Sequence, residues 1–217
     1  MVSVRDSEVE KPVIPCLPRL YPILDTFHYS DTAAWLRTAE ELIVAGVTLL
    51  QYRNKSGSPR QILDQARELR QHLPDSVKLI MNDRADLCLA AGFDGVHVGQ
   101  GDLSPGAVRK IVGPDVWMGV STHNPGQLCV ADKTSATYLA IGPIFSTTSK
   151  AKPDPVVGLD GLRKARALST KPLVAIGGIT RANCRAVIEA GADSVAVISD
   201  LLSAPRKSAE EFLQILR

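Results

Sequence analysis

From Leu20 onward the chain repeats one unit: a short apolar run rich in β-branched residues, a polar or glycine-bearing turn, then a longer amphipathic stretch. The apolar runs predict strands over Leu20–Asp25, Thr48–Arg53, Lys78–Asp83, Gly95–Gly99, Trp117–Thr122, Tyr138–Ile144, Pro172–Ile179 and Ser194–Ser199. A helix is expected after each. The clearest are Asp31–Ala45, with Ala34, Trp35, Ala39, Leu42 and Ile43 at helical spacing, and Pro59–Leu73, with Ile62, Leu63, Ala66 and Leu69. Asp31 and Ser58 are placed as N-caps, and Gly46 as the C-cap of the first helix.

Three units carry Ala-Gly just before the next strand, at Ala45-Gly46, Ala91-Gly92 and Ala190-Gly191, where glycine ends a helix and lets the chain turn into a sheet. Eight such units, with strands too continuously apolar to leave one face in water, predict an α/β protein folded as a single (β/α)8 TIM barrel over residues 19–217. An open doubly wound sheet is the structural alternative. It would show fewer strands and a Gly-rich loop after the first, but the turn after Asp25 has no glycine. Met1 to Pro18 mixes charges with prolines and lacks the apolar core of a signal peptide, so residues 1–18 are expected to form a flexible extension.

Composition narrows the partners. A formal net charge of +2 gives no warrant for attraction to nucleic acid or membranes, and 5% aromatic residues is thin for stacking on single strands. No apolar run approaches the roughly 20 residues that a membrane span needs. The cysteines, Cys16, Cys88, Cys129 and Cys184, show neither CxxC nor CxxH spacing, which predicts free thiols in a cytoplasmic protein. Any basic site must therefore be local, and its ligands small molecules. Oligomeric state is left open, since barrel helices can pack into homo-oligomers without leaving a motif.

The stretch Gln51-Tyr52-Arg53-Asn54-Lys55 places two cations at the polar end of a buried strand. Packing alone rarely uses Lys or Arg there, and in alternating α/β folds that edge is where ligands bind. The other strand ends offer Asn82-Asp83-Arg84, then His97 through Gln100 to Asp102, then Ser121-Thr122-His123. The sixth unit leads into Thr147-Thr148-Ser149-Lys150, and the last two supply Gly177-Gly178 and Ile198-Ser199. Two carboxylates, Asp83 and Asp102, among Arg53, Lys55 and Lys150 suggest Mg2+ on a diphosphate, since Mg2+ takes one or two carboxylates with phosphate oxygens and water. Taken singly, either acid could serve as a helix cap or an ion-pair partner. The Gly177-Gly178 turn and the Ile198-Ser199 strand end fit the phosphate site that barrels build from their seventh and eighth loops. Ala151 to Val157, with two prolines and two charges, is expected to form a mobile flap. His97 and His123 have no partner at metal spacing and are read as structural rather than zinc-binding.

These residues together resemble the thiamine-phosphate synthases, barrel enzymes that join the pyrimidine and thiazole halves of vitamin B1. The resemblance spans Leu20 to Arg217. It rests on Gln51-x-Arg53-x-Lys55, Asn82-Asp83-Arg84, Asp94-Gly95-Val96-His97-Val98-Gly99-Gln100-x-Asp102, and Gly119-Val120-Ser121-x-His123. Gly142-Pro143-Ile144-Phe145 with Thr147-x-Ser149-Lys150, Ile176-Gly177-Gly178-Ile179 and Ile198-Ser199 complete it.

The resemblance implies a hydroxymethylpyrimidine diphosphate held by Gln51, Arg53, Lys55, Asn82, Ser121 and Lys150. It implies Mg2+ on Asp83 and Asp102, and a thiazole phosphate on Thr147, Thr148, Ser149, Gly178, Ile198 and Ser199. Catalysis would fall to Arg53, Lys55, Ser121 and Lys150, stabilising charge as diphosphate leaves and a carbocation-like methylene is captured by the thiazole nitrogen. The chain departs from the family at Asn54 and Gly101, where an acid is frequent, and at Ser149, where Thr is usual. The related thiazole tautomerases share the barrel and the phosphate site, but have no diphosphate to need paired acids beside Arg and Lys. A non-catalytic sensor of thiazole phosphate would likewise have no use for Asp83 and Asp102.

Overall fold

The computed structural model describes residues 16–147 and 154–217. Among the described residues, eight strands alternate with eight α-helices: β1 Leu20–Asp25, α1 Thr32–Val44, β2 Leu49–Arg53, α2 Pro59–His72, β3 Lys78–Asn82, α3 Ala85–Ala90, β4 Gly95–Val98 and α4 Pro105–Val112. There follow β5 Trp117–Thr122, α5 Pro125–Asp132, β6 Tyr138–Ile141, α6 Gly158–Leu168, β7 Leu173–Ile176, α7 Cys184–Glu189, β8 Ser194–Val197 and α8 Pro205–Ile215. Every strand pairs in parallel with its neighbours, and β1 also pairs with β8, so the sheet closes into the expected (β/α)8 barrel.

Local chemistry sets the helix starts. Asp31 accepts a hydrogen bond from the Ala34 amide at 2.8 Å, and Ser58 forms a reciprocal capping box with Gln61 ahead of Pro59. Ser104 and Asn124 cap with their side chains alone, accepting the Ala107 and Gln127 amides ahead of Pro105 and Pro125. At the far end of α1 the cap is Ala45, with Gly46 one residue beyond at φ 102°, a place shift from the expected glycine cap. Gly92 and Gly191 take the same left-handed region, as their Ala-Gly pairs predicted.

Several strands stop short of their predicted carboxyl ends, and β2 and β7 also begin one residue later than predicted. β3 ends at Asn82 because Asp83 turns to φ 61°, β6 ends before the cis Gly142-Pro143 bond, and β7 ends before Gly177 at φ 96°. Those apolar runs continue past the sheet because the loops remain buried against it, as Ile144 and Ile179 are. The chain thus leaves the ladder where it begins to form the rim of the barrel.

The strands' period of two divides the core. One face packs against the helices through residues such as Leu50, Leu79, Val96 and Leu139. The other fills the barrel with Tyr21, Ile23, Leu49, Ile80, Tyr138, Ala140, Val174 and Ala196, and Leu17 packs into the same inner cluster. Burying each large aliphatic contributes about 1.5–3 kcal/mol. The predicted extension is described only from Cys16, residues 1–15 lying outside the described range.

Two inward positions must be glycine for steric reasons. A Cβ on Gly119 would lie 2.2 Å from Tyr138 Cζ and 2.3 Å from His97 Nδ1, and one on Gly142 would lie 2.2 Å from the Ile176 carbonyl oxygen. Gly119→Ala is therefore expected to destabilise the barrel by about 1–3 kcal/mol through overpacking. Urea unfolding checks this, as a lower midpoint with an unchanged slope.

Candidate active site

The inward, carboxyl-terminal ends of the strands surround a cavity of about 530 Å³. It gathers Gln51, Arg53, Lys55, Asn82, Asp83, Asp102, Ser121, Thr147, Gly178, Ile198 and Ser199 from seven of the eight units. Every described residue predicted for the site is thus on one surface. Thr148, Ser149 and Lys150 lie outside the described residues, as do residues 151–153 of the expected flap. Arg84, part of a predicted motif, does not line the cavity and instead pairs with Asp86.

One wall is made of alternating charges. Arg53 ends β2 and its guanidinium pairs with Asp25 at the end of β1, the two being direct cross-strand partners. Asp25 is nearly fully buried at 3% exposure and also accepts the Phe27 amide at 3.2 Å. The guanidinium is thereby fixed in direction. Lys55, half exposed on the loop after β2, pairs with Asp83.

Asp83 sits in a left-handed backbone conformation that Asp tolerates better than most residues. It is held there by its own amide donating to the His97 carbonyl at 2.8 Å, and by the Arg84 amide donating to Asn82 at 2.8 Å. Burial raises the Asp83 carboxyl above its usual range; the Lys55 ammonium opposes that shift, and the neighbouring Asp102 carboxylate adds to it. Asp102 accepts the Gly99 amide at 2.8 Å, closing the tight turn after β4. Two neighbouring carboxylates, with one lysine paired to Asp83 and Asp102 exposed, form a site poised for more positive charge.

The floor is polar but water-poor. Gln51 donates to the Tyr21 hydroxyl at 2.9 Å, and His97 contacts Ser121 Oγ through Nε2 at 2.8 Å. Burial pushes the His97 imidazole down to about 4, so it is neutral at physiological pH. Gln100 fixes the loop above by donating to the Ser121 carbonyl at 2.7 Å.

The opposite wall is backbone. Gly177 and Gly178 both have positive φ, and a Cβ on Gly178 would lie 2.5 Å from the Ser146 carbonyl oxygen. The loops after β6 and β7 are stitched together: the Ile144 amide donates to Ile176 at 2.9 Å and the Phe145 amide to Gly177 at 3.0 Å. Asn183 accepts the Thr180 amide at 2.9 Å and donates to the Gly178 carbonyl at 3.0 Å, closing the turn that follows. With Ile198 and Ser199 after the neighbouring strand β8, this glycine turn presents backbone rather than side chains to the cavity.

Some of the site escapes motif reading. Asp25, Tyr21 and Tyr138 carried no signal beyond their place in predicted strands, although the Asp25–Arg53 pairing follows from strand register once β1 and β2 are adjacent. His123, read as structural, lines the cavity: its Nδ1 donates to the Gly142 carbonyl at 2.6 Å and its Nε2 lies 3.5 Å from Asp154. Among the described residues no group of three or more His, Cys, Asp or Glu could hold a metal unaided, so a cation here would rest on Asp83 and Asp102 with ligand oxygens and water. No described helix is long and apolar enough to cross a membrane.

The chain matches known proteins along most of its length. A family model described as thiamine monophosphate synthase covers residues 20–201. A thiamine-phosphate synthase of Koribacter versatilis is 64% identical over 203 residues, spanning 92% of this chain and 96% of that protein. One from Chloroflexus aurantiacus is 43% identical, covering 86% of each chain. The solved structure of a thiamine phosphate pyrophosphorylase from Pyrococcus furiosus superposes with a TM-score of 0.80 at 33% identity, covering 91% of this chain and 95% of that one. With its barrel closed and the predicted rim residues gathered on one cavity, the chain belongs to the thiamine monophosphate synthase family.

Proposed function

We propose that this chain is a transferase that condenses 4-amino-5-hydroxymethyl-2-methylpyrimidine diphosphate with a thiazole phosphate, giving thiamine phosphate and diphosphate. The observation that carries the reading is the convergence of Arg53, Lys55, Asp83 and Asp102 on one wall, facing a glycine-built backbone turn on the other. One wall suits a diphosphate with its counter-ion. The other suits a monophosphate held by amides, so two differently charged phosphorylated substrates have two differently built places.

The reaction asks for ionisation more than proton abstraction. The C–O bond between the pyrimidine methylene and the diphosphate breaks with both electrons going to oxygen. The aminopyrimidine ring spreads the positive charge left behind, and the thiazole nitrogen then forms the new C–N bond. Arg53, oriented by Asp25, and Lys55 stabilise the negative charge that grows on the leaving oxygens, the effect that usually contributes most in such sites. Lys150, outside the described residues, is assigned the same task. Gln51, Asn82 and Ser121 hold the pyrimidine end, while Gly178, Ile198 and Ser199, with Thr147, Thr148 and Ser149, anchor the thiazole phosphate so that its nitrogen meets the methylene in line.

Mg2+ is assigned to Asp83 and Asp102, where it would neutralise diphosphate charge. The fit rests on the donor set: two interacting carboxylates at a cavity wall otherwise supplied with cations. Lys55 occupies Asp83 in the structure, so binding of the metal diphosphate would move the ammonium from the carboxylate onto phosphate oxygens.

Purified protein given Mg2+ and both phosphorylated halves is expected to release diphosphate and form thiamine phosphate, followed by chromatography of the product. Interconversion of thiazole isomers without any product would instead assign the tautomerase reaction. Arg53→Ala is expected to lower kcat by about 10²–10³-fold, the usual loss on removing one preorganised donor to developing charge. Asp83→Ala is expected to abolish metal-dependent turnover with the circular dichroism spectrum retained; unchanged Mg2+ dependence would remove Asp83 from the metal site. Without ligands, Asp102→Asn should move the Asp83 titration to lower pH and Lys55→Ala should move it higher, measured by carbon NMR of the carboxyl group.

A further inference from the structure

Five side chains from five strands form one hydrogen-bonded line across the barrel interior. Gln51, Tyr21, Tyr138, His97 and Ser121 follow one another at 2.9, 2.9, 3.1 and 2.8 Å. Gln51, Tyr21, His97 and Ser121 all line the cavity. Tyr138 does not line it and is fully buried. The line passes where Gly119 has no side chain, since a Cβ there would occupy the contact between His97 and Tyr138.

The direction of each bond constrains the next. A tyrosine hydroxyl has one hydrogen, and a neutral imidazole has one N–H and one bare nitrogen. With the Gln51 amide donating to Tyr21, the line satisfies itself when the Tyr21 hydrogen goes to Tyr138 and the Tyr138 hydrogen to His97 Nδ1. His97 then carries its hydrogen on Nε2 and donates to Ser121 Oγ, which leaves the Ser121 hydroxyl hydrogen for a ligand in the cavity. The opposite direction is satisfied only if all members turn together. Gln51 would then offer its carbonyl to Tyr21, and Ser121 would spend its hydrogen on His97 and face the ligand as an acceptor. A half-turned line sets two donors against each other or leaves a buried hydroxyl with no acceptor, and burial makes either arrangement costly.

We propose that Tyr21, Tyr138 and His97 are positioning residues that transmit the orientation of the Gln51 amide to the Ser121 hydroxyl, and so fix whether Ser121 donates to or accepts from the ligand. In the direction set by the Gln51 amide donating to Tyr21, Ser121 is a donor and its complement is a lone pair on a heteroaromatic ring nitrogen. The pyrimidine of the proposed substrate supplies such a nitrogen, and this assignment of the ligand rests on the proposed function. The transmission does not rest on it.

The test follows the His97 tautomer by nitrogen NMR in ligand-free protein. Wild type should show a bare Nδ1 and a protonated Nε2. Gln51→Glu, at alkaline pH where carbon NMR shows the new carboxyl to be ionised, makes that end an obligate acceptor, so the hydrogen should move to Nδ1 although the substituted side chain touches no part of the imidazole. Adding Tyr21→Phe should cut the line and restore the wild-type tautomer, since Tyr138 then keeps its hydrogen for His97 Nδ1. An unchanged tautomer in Gln51→Glu, or an inversion that survives the cut, overturns the proposal. A second arm measures Kd for the pyrimidine diphosphate in wild type, Ser121→Ala, Tyr138→Phe and the double variant. Transmission predicts that Ser121→Ala costs about tenfold less affinity once Tyr138→Phe is present, whereas additive losses speak for separate structural roles. Absence of pyrimidine diphosphate binding in wild type would overturn the proposed function and leave the tautomer arm to judge the line.

Discussion

A closed sheet leaves no edge, so every polar group that points into the barrel must find its partner among the inward side chains of neighbouring strands. That constraint organises the molecule from floor to rim. Many inward positions, such as Leu49, Ile80 and Val174, are aliphatic and need nothing. Among them stand hydroxyl, amide and imidazole groups, and they are satisfied by one another across the interior rather than by the backbone, whose groups are already engaged in the ladder. At the rim, where solvent reaches, full charges appear, and they too come in cross-strand pairs: Asp25 with Arg53, Asp83 with Lys55.

The gradation has an electrostatic reason. A charge at the level of His97 would face the full cost of burial, and the imidazole there responds by staying neutral. At the level of Asp83 burial is partial, so the carboxylate can ionise if a cation stands beside it, yet its affinity for protons remains raised. Such a group gains most from a partner bearing more than one positive charge. On the proposed function, the pairing with Lys55 is a resting arrangement, and each member would gain a better partner in a metal diphosphate. Asp25 differs: it is almost completely buried and pairs directly with Arg53, which suits a scaffold that stays fixed while the ligand comes and goes.

Much of this was legible in the sequence because the barrel converts position along the chain into position in space. Once eight strands are recognised, the residue at each carboxyl end is assigned to one rim, and Gln51, Asn82, Ser121 and Gly178 fall together without further information. Helix starts were legible for the same local reason, since Asp31 and Ser58 carry their own cap chemistry. Strand ends were less so. Ile144 and Ile179 are as apolar as strand residues, but they are buried in loops, and hydrophobicity alone does not separate a ladder from a loop packed upon it. Least legible were Tyr21 and Tyr138, which read as ordinary aromatic strand residues. Their hydroxyl partners lie 117 positions apart in the chain, and only the register of a closed sheet brings them into contact.

The glycines follow the same logic in negative. Gly119 exists to leave a space, and what fills the space is a hydrogen bond between two other strands. Gly178 removes a side chain so that the loops after β6 and β7 can approach, which exposes backbone to the cavity where a phosphate is assigned. In both places the residue that matters for chemistry is not the glycine itself, and its identity is dictated by a neighbour distant in sequence. A barrel of this size has little interior to spare. The polar line, the charged wall and the backbone turn fit only because small residues stand between them, which ties the geometry of the site to the packing of the core that carries it.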